Sequence, residues 1–338
     1  MTQRRWLKLL LAAALLAASG CGAGQGAKQG AESGVPSAPG AAAGGQSGGQ
    51  TAAGEKRTVY PLTVKDATGA ELTFTKAPSR IVSTSPAETE TLYALGLGDV
   101  IVGVSDFDDF PAEAGLKPKV GGVSKPNAEA ILAAGSDLVV TGVSLNDPAV
   151  IKQLRDELKL PLFKTDAKTY DDVIRNVRLL GTITDRQTQA EQVVGQMESV
   201  RSKVLETVKD IKPEERKRVF MEFSPNWTVG KGTFLNELLE MSGAVNIAAD
   251  VSGWAQMNEE KVIQDNPDVI LFGGGLVDDK TNKPLEEAIK GRSGWSGIEA
   301  VKNGRLYALD KNMMSRPGPR LGQALLDTAR AVYPERFQ

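Results

Sequence analysis

Two stretches of the chain, "NAEAILAAGSDLVV" (Asn127–Val140) and "NEEKVIQDNPDVIL" (Asn258–Leu271), write one phrase twice. Each opens on Asn, has Glu at the third place (Glu129, Glu260) and Asp at the eleventh (Asp137, Asp268), and sets an apolar pair at the same offset, Ile131-Leu132 and Val262-Ile263. The phrase reads as a short helix with its apolar pair packed inward, a turn, and a buried strand headed by Asp. A glutamate in a first helical turn is favoured by the helix dipole by about 0.3–1 kcal/mol, so one alone needs no function. Two in equivalent places suggest a matched pair of acidic points.

Strands alternate with helices on both sides of each phrase. Before and after the first copy, "VYPLTV" and "AELTF" flank Asp66-Ala67-Thr68-Gly69 as an edge hairpin, then come "RIVSTS", a helix from Pro86 to about Leu95, "IVGVS", "DLVVT", a helix near 148–159, "LFKTD" and a helix from Tyr170. Around the second copy stand "RVFMEF", the helix "TFLNELLEM", "DVILFGG", helices near 284–290 and in "WSGIEAVKN", "RLYALD", and a last helix from about Pro319 to Tyr333. Such alternation implies parallel sheets covered on both faces, and the second half mirrors the first. Ser85, Pro86 and Glu88 have the spacing of a capping box at the first long helix.

From Asp185 to Ile211, apolar residues recur at steps of one, three and four with no proline until Pro213, which predicts one amphipathic helix on the order of 40 Å long. Roughly 280 residues follow the N-terminal segment, more than one core usually serves, so two lobes are expected.

That N-terminal segment answers the question of location. Arg4, Arg5 and Lys8 precede an apolar run, Leu9–Ala18, too short to span a bilayer, and small residues lead to Cys21, the one cysteine of the chain. This is a secretory signal. "LAASGC" is similar to a bacterial lipobox, with Cys21 as the lipidated terminus of an extracytoplasmic protein anchored to the cell membrane. The Gly-, Ala- and Ser-rich residues up to about Arg57 form a flexible tether.

Removing residues 1–20 takes away three positive charges and no negative ones, moving the net charge from −2 to −5 and giving no sign of nucleic-acid binding. The chain has no histidine, which excludes Ser-His-Asp and Cys-His catalysis and His-ligated zinc or haem.

Four stretches together, "RIVSTSPAETETLYALGLGDVIVGVSDFDDFP", "KVGGVSKPNAEAILAAGSDLVV", "MNEEKVIQDNPDVIL" and "NMMSRPGPRL", resemble the substrate-binding lipoproteins of ATP-binding-cassette importers for cobalamin, iron-siderophores and haem. The resemblance covers Arg80 to Phe337 and implies an α/β fold of two Rossmann-like lobes joined by a single long helix, the class III periplasmic-binding-protein fold. It implies this division: signal peptide 1–20, lipidated linker 21–57, N-terminal lobe 58–184, connecting helix 185–211, C-terminal lobe 212–338. In that family one exposed glutamate per lobe pairs with arginines of a permease dimer driven by its ATPase, which here implies Glu129 and Glu260, with Glu259 a residue away as the alternative.

Within the family the chain is most similar to cobalamin receptors. The resemblance implies a corrinoid as transported ligand, with no resident cofactor or metal, in a monomeric receptor that is not an enzyme. It implies ligand contacts from Phe107, Trp254 and the loop Asn312, Met313, Met314, Ser315 and Arg316. Val123 departs from the pattern, standing where such receptors carry a second tryptophan, and Trp227 is the candidate to compensate. Each also has a plainer role open to it: Phe107 and Trp254 as packing between lobes, Met313 and Met314 as soft filler, Arg316 as a partner for carbonyls. Trp295 and Arg320 read as structural.

Two rival readings differ in cargo or class. A triply charged catecholate siderophore wants a cationic cluster, for which Arg316, Lys125 and Lys231 are candidates, and haem would need a ligand other than histidine. A nucleotide-using enzyme would rest on "PNWTVGKGT", but Pro225 stands where a phosphate loop has its first Gly and Gly232 where Ser or Thr should follow the Lys.

Overall fold

The computed structural model of the protein describes residues 56–256 and 258–337. The signal segment, Cys21 and the tether up to residue 55 lie outside the described residues. Strands β1 (Leu62–Lys65) and β2 (Glu71–Phe74) pair antiparallel as the expected hairpin. Asp66 ties the turn by accepting from the amides of Thr68 and Ala70, and its pairing with Arg155 fastens the hairpin to the lobe behind it.

The N-terminal lobe follows as β3 (Ile81–Ser83), α1 (Pro86–Ala94), β4 (Ile101–Val104), α2 (Ala128–Ala134), β5 (Leu138–Thr141), α3 (Pro148–Lys152), β6 (Leu162–Lys164) and α4 (Tyr170–Ile183). Its strands lie parallel in the order β4-β3-β5-β6. β5 is buried at every position, which is why "LVVT" is a continuous apolar run and not an alternating one.

Helix α5 (Gln187–Val208) then carries the chain to the second lobe. Its 22 residues begin later than the sequence suggests, because Asp185, held at φ 55° with its carboxylate on the Thr58 amide, separates it from α4, and the helix ends at Val208, short of the expected Ile211. Ala190, Val194, Met197, Val204 and Val208 form its buried stripe.

The C-terminal lobe contains β7 (Arg218–Ser224), β8 (Trp227–Val229), α6 (Phe234–Met241), β9 (Val245–Asn246), β10 (Trp254–Gln256), α7 (Glu259–Asp265), β11 (Val269–Gly273), α8 (Leu285–Gly291), α9 (Glu299–Lys302), β12 (Leu306–Leu309), α10 (Lys311–Ser315) and α11 (Leu321–Val332). The sheet runs β10-β8-β7-β11-β12, with β9 also on β7. β7, β9, β11 and β12 are parallel, while β8 and β10 add an antiparallel edge. β8, β9, β10 and α10 have no counterpart in the sequence reading.

One apolar core runs through both lobes, from Val140 and Phe163 past Tyr170 and Met197 to Leu325, Val219 and Leu271. A second cluster in the C-terminal lobe surrounds Trp295, fully buried beside Phe220 with the Arg292 guanidinium 4.7 Å from its ring.

The repeat is a structural repeat. Asn127 caps α2 by accepting from Ala130 N (3.1 Å), and Asn258 caps α7 by accepting from Lys261 N (2.9 Å). Both helices end left-handed, at Gly135 (φ 59°) and Asn266 (φ 43°). Asp137 then donates its amide to Arg80 O and accepts from Arg80 N, and Asp268 does the same with Arg218. The acidic strand heads therefore lock each helix-turn-strand unit to the start of the neighbouring strand.

Two expectations are corrected. Leu132 and Ile263 do not pack inward: they are 46% and 38% exposed, while Ile131 and Val262 alone of each pair are buried. The Ser85 side chain makes no hydrogen bond to the first-turn amides of α1, and Glu88 turns inward to accept from Thr165 Oγ1 at 2.5 Å, so no capping box forms.

Candidate functional site

The C-terminal ends of the parallel strands in the two lobes face a common cleft, where α/β sheets place ligands. Two cavities occupy it, of about 280 Å³ and about 680 Å³, joined along Val143, Ser144, Ser315 and Pro317. The smaller is walled by Ser85–Glu88, Phe107 and Val123 on one side and Asn312, Arg316 and Pro317 on the other. The larger adds Asp166–Lys168 from the loop after β6 and Phe223, Thr233, Phe234 and Trp254 from the opposite lobe.

Phe107 and Trp254 each present an open ring to this cleft, 60% and 42% exposed. Trp254 is held in place by edge contacts with Phe223 (4.5 Å between centroids) and Phe234 (5.9 Å), so its orientation is set before any ligand arrives. Phe107 belongs to the loop after β4, braced through Ser105, whose hydroxyl donates to Asp108 at 2.5 Å and accepts from the Phe107 amide.

The 312–316 loop divides. Asn312, Ser315 and Arg316 line the cleft. Met314, 2% exposed, belongs to the core, and Met313 packs against that core, so α10 turns both methionines away from the cleft. Trp227 is 38% exposed but lines neither cavity.

Arg316 is buried and engaged. It donates to Glu90 of α1 (3.0 Å), to Asp109 (2.6 Å) and to the Phe107 carbonyl (3.1 Å), while Asn312 donates to the other Asp109 oxygen (3.0 Å). Arg320 adds two bonds to Glu90 and lies 4.1 Å over the ring of Phe110. This clasp joins residues more than two hundred positions apart, one partner from each lobe. Burial pushes the Asp109 carboxyl up, but the bonds from Arg316 and Asn312 outweigh it and hold the group below the usual range.

Glu88 lines the smaller cavity almost wholly buried, and burial pushes its carboxyl up despite bonds from neighbouring hydroxyls. Lys164, whose ammonium donates to Gly142 O, is pushed down by the same loss of solvent. Ser85, Glu88, Val143, Ser144 and Asp166–Lys168 were not anticipated as lining residues. Their signal is positional: each follows the carboxyl end of a parallel strand.

Glu129 and Glu260 occupy the second position after equivalent caps, both exposed, and neither makes a side-chain hydrogen bond or ion pair among the described residues. Glu259 is half-buried and faces the Arg292 guanidinium, whose ionised form it supports.

Residues 81–313 match the family described as periplasmic binding protein. The chain is 35% identical, over 98% of both sequences, to an uncharacterized ABC transporter substrate-binding lipoprotein of Bacillus subtilis (strain 168). It is 26% identical to a cobalamin-binding protein of Halobacterium salinarum, over 83% of this chain and 77% of that one. Among solved structures, a possible iron-binding (periplasmic solute-binding) protein from Staphylococcus epidermidis superposes with a TM-score of 0.64 at 34% identity, covering 76% of this chain and all of that one.

Proposed function

This chain belongs to the periplasmic binding protein family as a substrate-binding protein of an ABC importer, and from that premise we propose that its cargo is cobalamin or a related corrinoid, held between the lobes. The observation that carries the proposal is the charge balance of the cleft. Its two lining cations, Arg316 and Lys168, each stand beside a carboxylate, Asp109 at 2.6 Å and Asp166 at 3.4 Å, whereas two large aromatic faces are left open. A wide, weakly charged macrocycle gains from flat apolar walls, which contribute contact area at little entropic cost. A triply anionic catecholate complex would instead meet cations already neutralised. Lys125 and Lys231, the other basic candidates, line neither cavity. The similarity to a cobalamin-binding protein supports the same cargo.

A ferric-siderophore reading draws on the likeness to the possible iron-binding protein. Titrating the purified protein with cyanocobalamin, cobinamide, ferric hydroxamate, ferric catecholate and haemin, while following tryptophan fluorescence, separates the two. Saturable quenching by the corrinoids is expected, weakened about ten-fold by Trp254→Ala. Saturation by siderophores or haemin alone overturns the corrinoid proposal.

The proposed arrangement has Cys21 as the lipid anchor of an extracytoplasmic receptor, the tether to residue 57, lobes over 58–184 and 212–338 around the 185–211 connector, and Glu129 and Glu260 as the acids that meet arginines on a permease dimer. Anchoring raises the receptor's effective concentration at its permease. Exposure and the lack of intramolecular partners favour Glu260 over Glu259 as the docking acid of the second lobe.

A further inference from the structure

The duplicated helices α2 and α7 share more than their acids. One turn beyond each glutamate, at the fifth position after the cap, stands a large apolar side chain that the fold leaves outside: Leu132 after Glu129 and Ile263 after Glu260. Residues three apart on a helix are neighbours on its surface, about 5–6 Å between Cβ atoms, so each helix presents an acid and an apolar knob side by side. A single exposed leucine is ordinary on a protein surface and calls for no explanation. The same pair at the same offset in both lobes, while the position just before it is buried both times (Ile131 0%, Val262 3%), is a patterned surface. Ile263 is also braced: a Cβ on Gly294 would come within 3.0 Å of its Cδ1, so the side chain rests on the backbone of a left-handed glycine.

We propose that Leu132 and Ile263 are the apolar half of the docking surface, each seating in an apolar hollow beside a cationic residue on one of two identical permease subunits. The proposal rests on the reading of Glu129 and Glu260 as docking acids and extends it. Two identical subunits offer one hollow twice about a two-fold axis, and a single-chain receptor fills both only by carrying the complementary knob in each lobe. The division of labour follows from the physics of the groups. Exposed acids steer and orient the encounter and are screened by salt, whereas buried apolar contact slows dissociation and is indifferent to salt.

The test measures binding of the full-length protein to nanodiscs holding its own importer's permease dimer and ATPases, at low and high salt. Leu132→Ser and Ile263→Ser should each weaken binding about ten-fold, mainly through faster dissociation and equally at both salts, with losses adding in the double variant. Glu129→Gln and Glu260→Gln should instead slow association, and chiefly at low salt. Leu132→Met and Ile263→Leu should restore wild-type binding, and cargo titration should be unchanged throughout, which separates lost docking from lost folding. Serine variants that bind like wild type while the glutamine variants are weakened overturn the apolar role and leave the docking acids standing. Wild-type binding by both sets sinks the docking reading itself.

Discussion

Glu88 occupies the place of a helix-capping partner, yet the structure turns it into the cleft wall beneath the ligand space. Burial raises its pKa, so the folded protein keeps a proton that the unfolded chain gives up at the ordinary glutamate value. Its contribution to stability is therefore fully present below that ordinary value and is lost as pH rises through the folded one. Glu88→Gln, a neutral isostere, should gain melting temperature relative to wild type as pH rises above the ordinary glutamate value, with the two converging in acid. A parallel pH profile for both proteins would show that the carboxyl is ionised in the fold. At this scale the sequence was legible where an aromatic stands on a loop open to the cleft, as with Phe107 and Trp254. It was illegible where packing decides. Nothing in "NMMSR" tells that the methionines face the core while Arg316 is saturated by Glu90 and Asp109, two carboxylates from the other end of the chain.

Helices α2 and α7 could be read before they were seen, because Asn, Gly or Asn, and Asp mark the cap, the left-handed end and the strand head in both copies. Asn127→Ala or Asn258→Ala should each cost about 1 kcal/mol in urea denaturation, by leaving one first-turn amide without its acceptor. An unchanged midpoint would mean that water replaces the cap without loss. The apolar pair of each phrase misled, since a helix of seven residues has room for one inward position where a longer one offers a stripe. β8, β9 and β10 escaped for a similar reason. Strands of two or three residues are shorter than any period they could display, and β8 and β10 form an antiparallel edge where the surrounding pattern is of parallel strands.

Across the whole molecule, the main sheets of the two lobes use separate stretches of chain and are bridged by α5 with its share of the common core, by the Tyr170 amide donating to Glu237, and by the Glu90–Arg316–Arg320 clasp. Glu90 is 2% exposed at its side chain, and Glu90→Ala removes the buried carboxylate that Arg316 and Arg320 share, leaving Arg316 with Asp109 and Arg320 with the Phe110 ring. A loss of about 3 kcal/mol is expected in denaturant unfolding, with a wider distribution of lobe separations in small-angle scattering. Unchanged stability would mean that the clasp adds no net free energy and that the common core along α5 holds the lobes together. The two-lobe plan itself was plain from alternation and repetition, while the clasp was invisible because it couples residues 226 positions apart. One detail of that clasp reaches further. Arg316 grips the loop at position 107 through a main-chain carbonyl, which every amino acid possesses. The ring proposed to meet the cargo can thus be exchanged for another side chain without loosening the joint beneath it, so a scaffold of this kind can change its diet one mutation at a time.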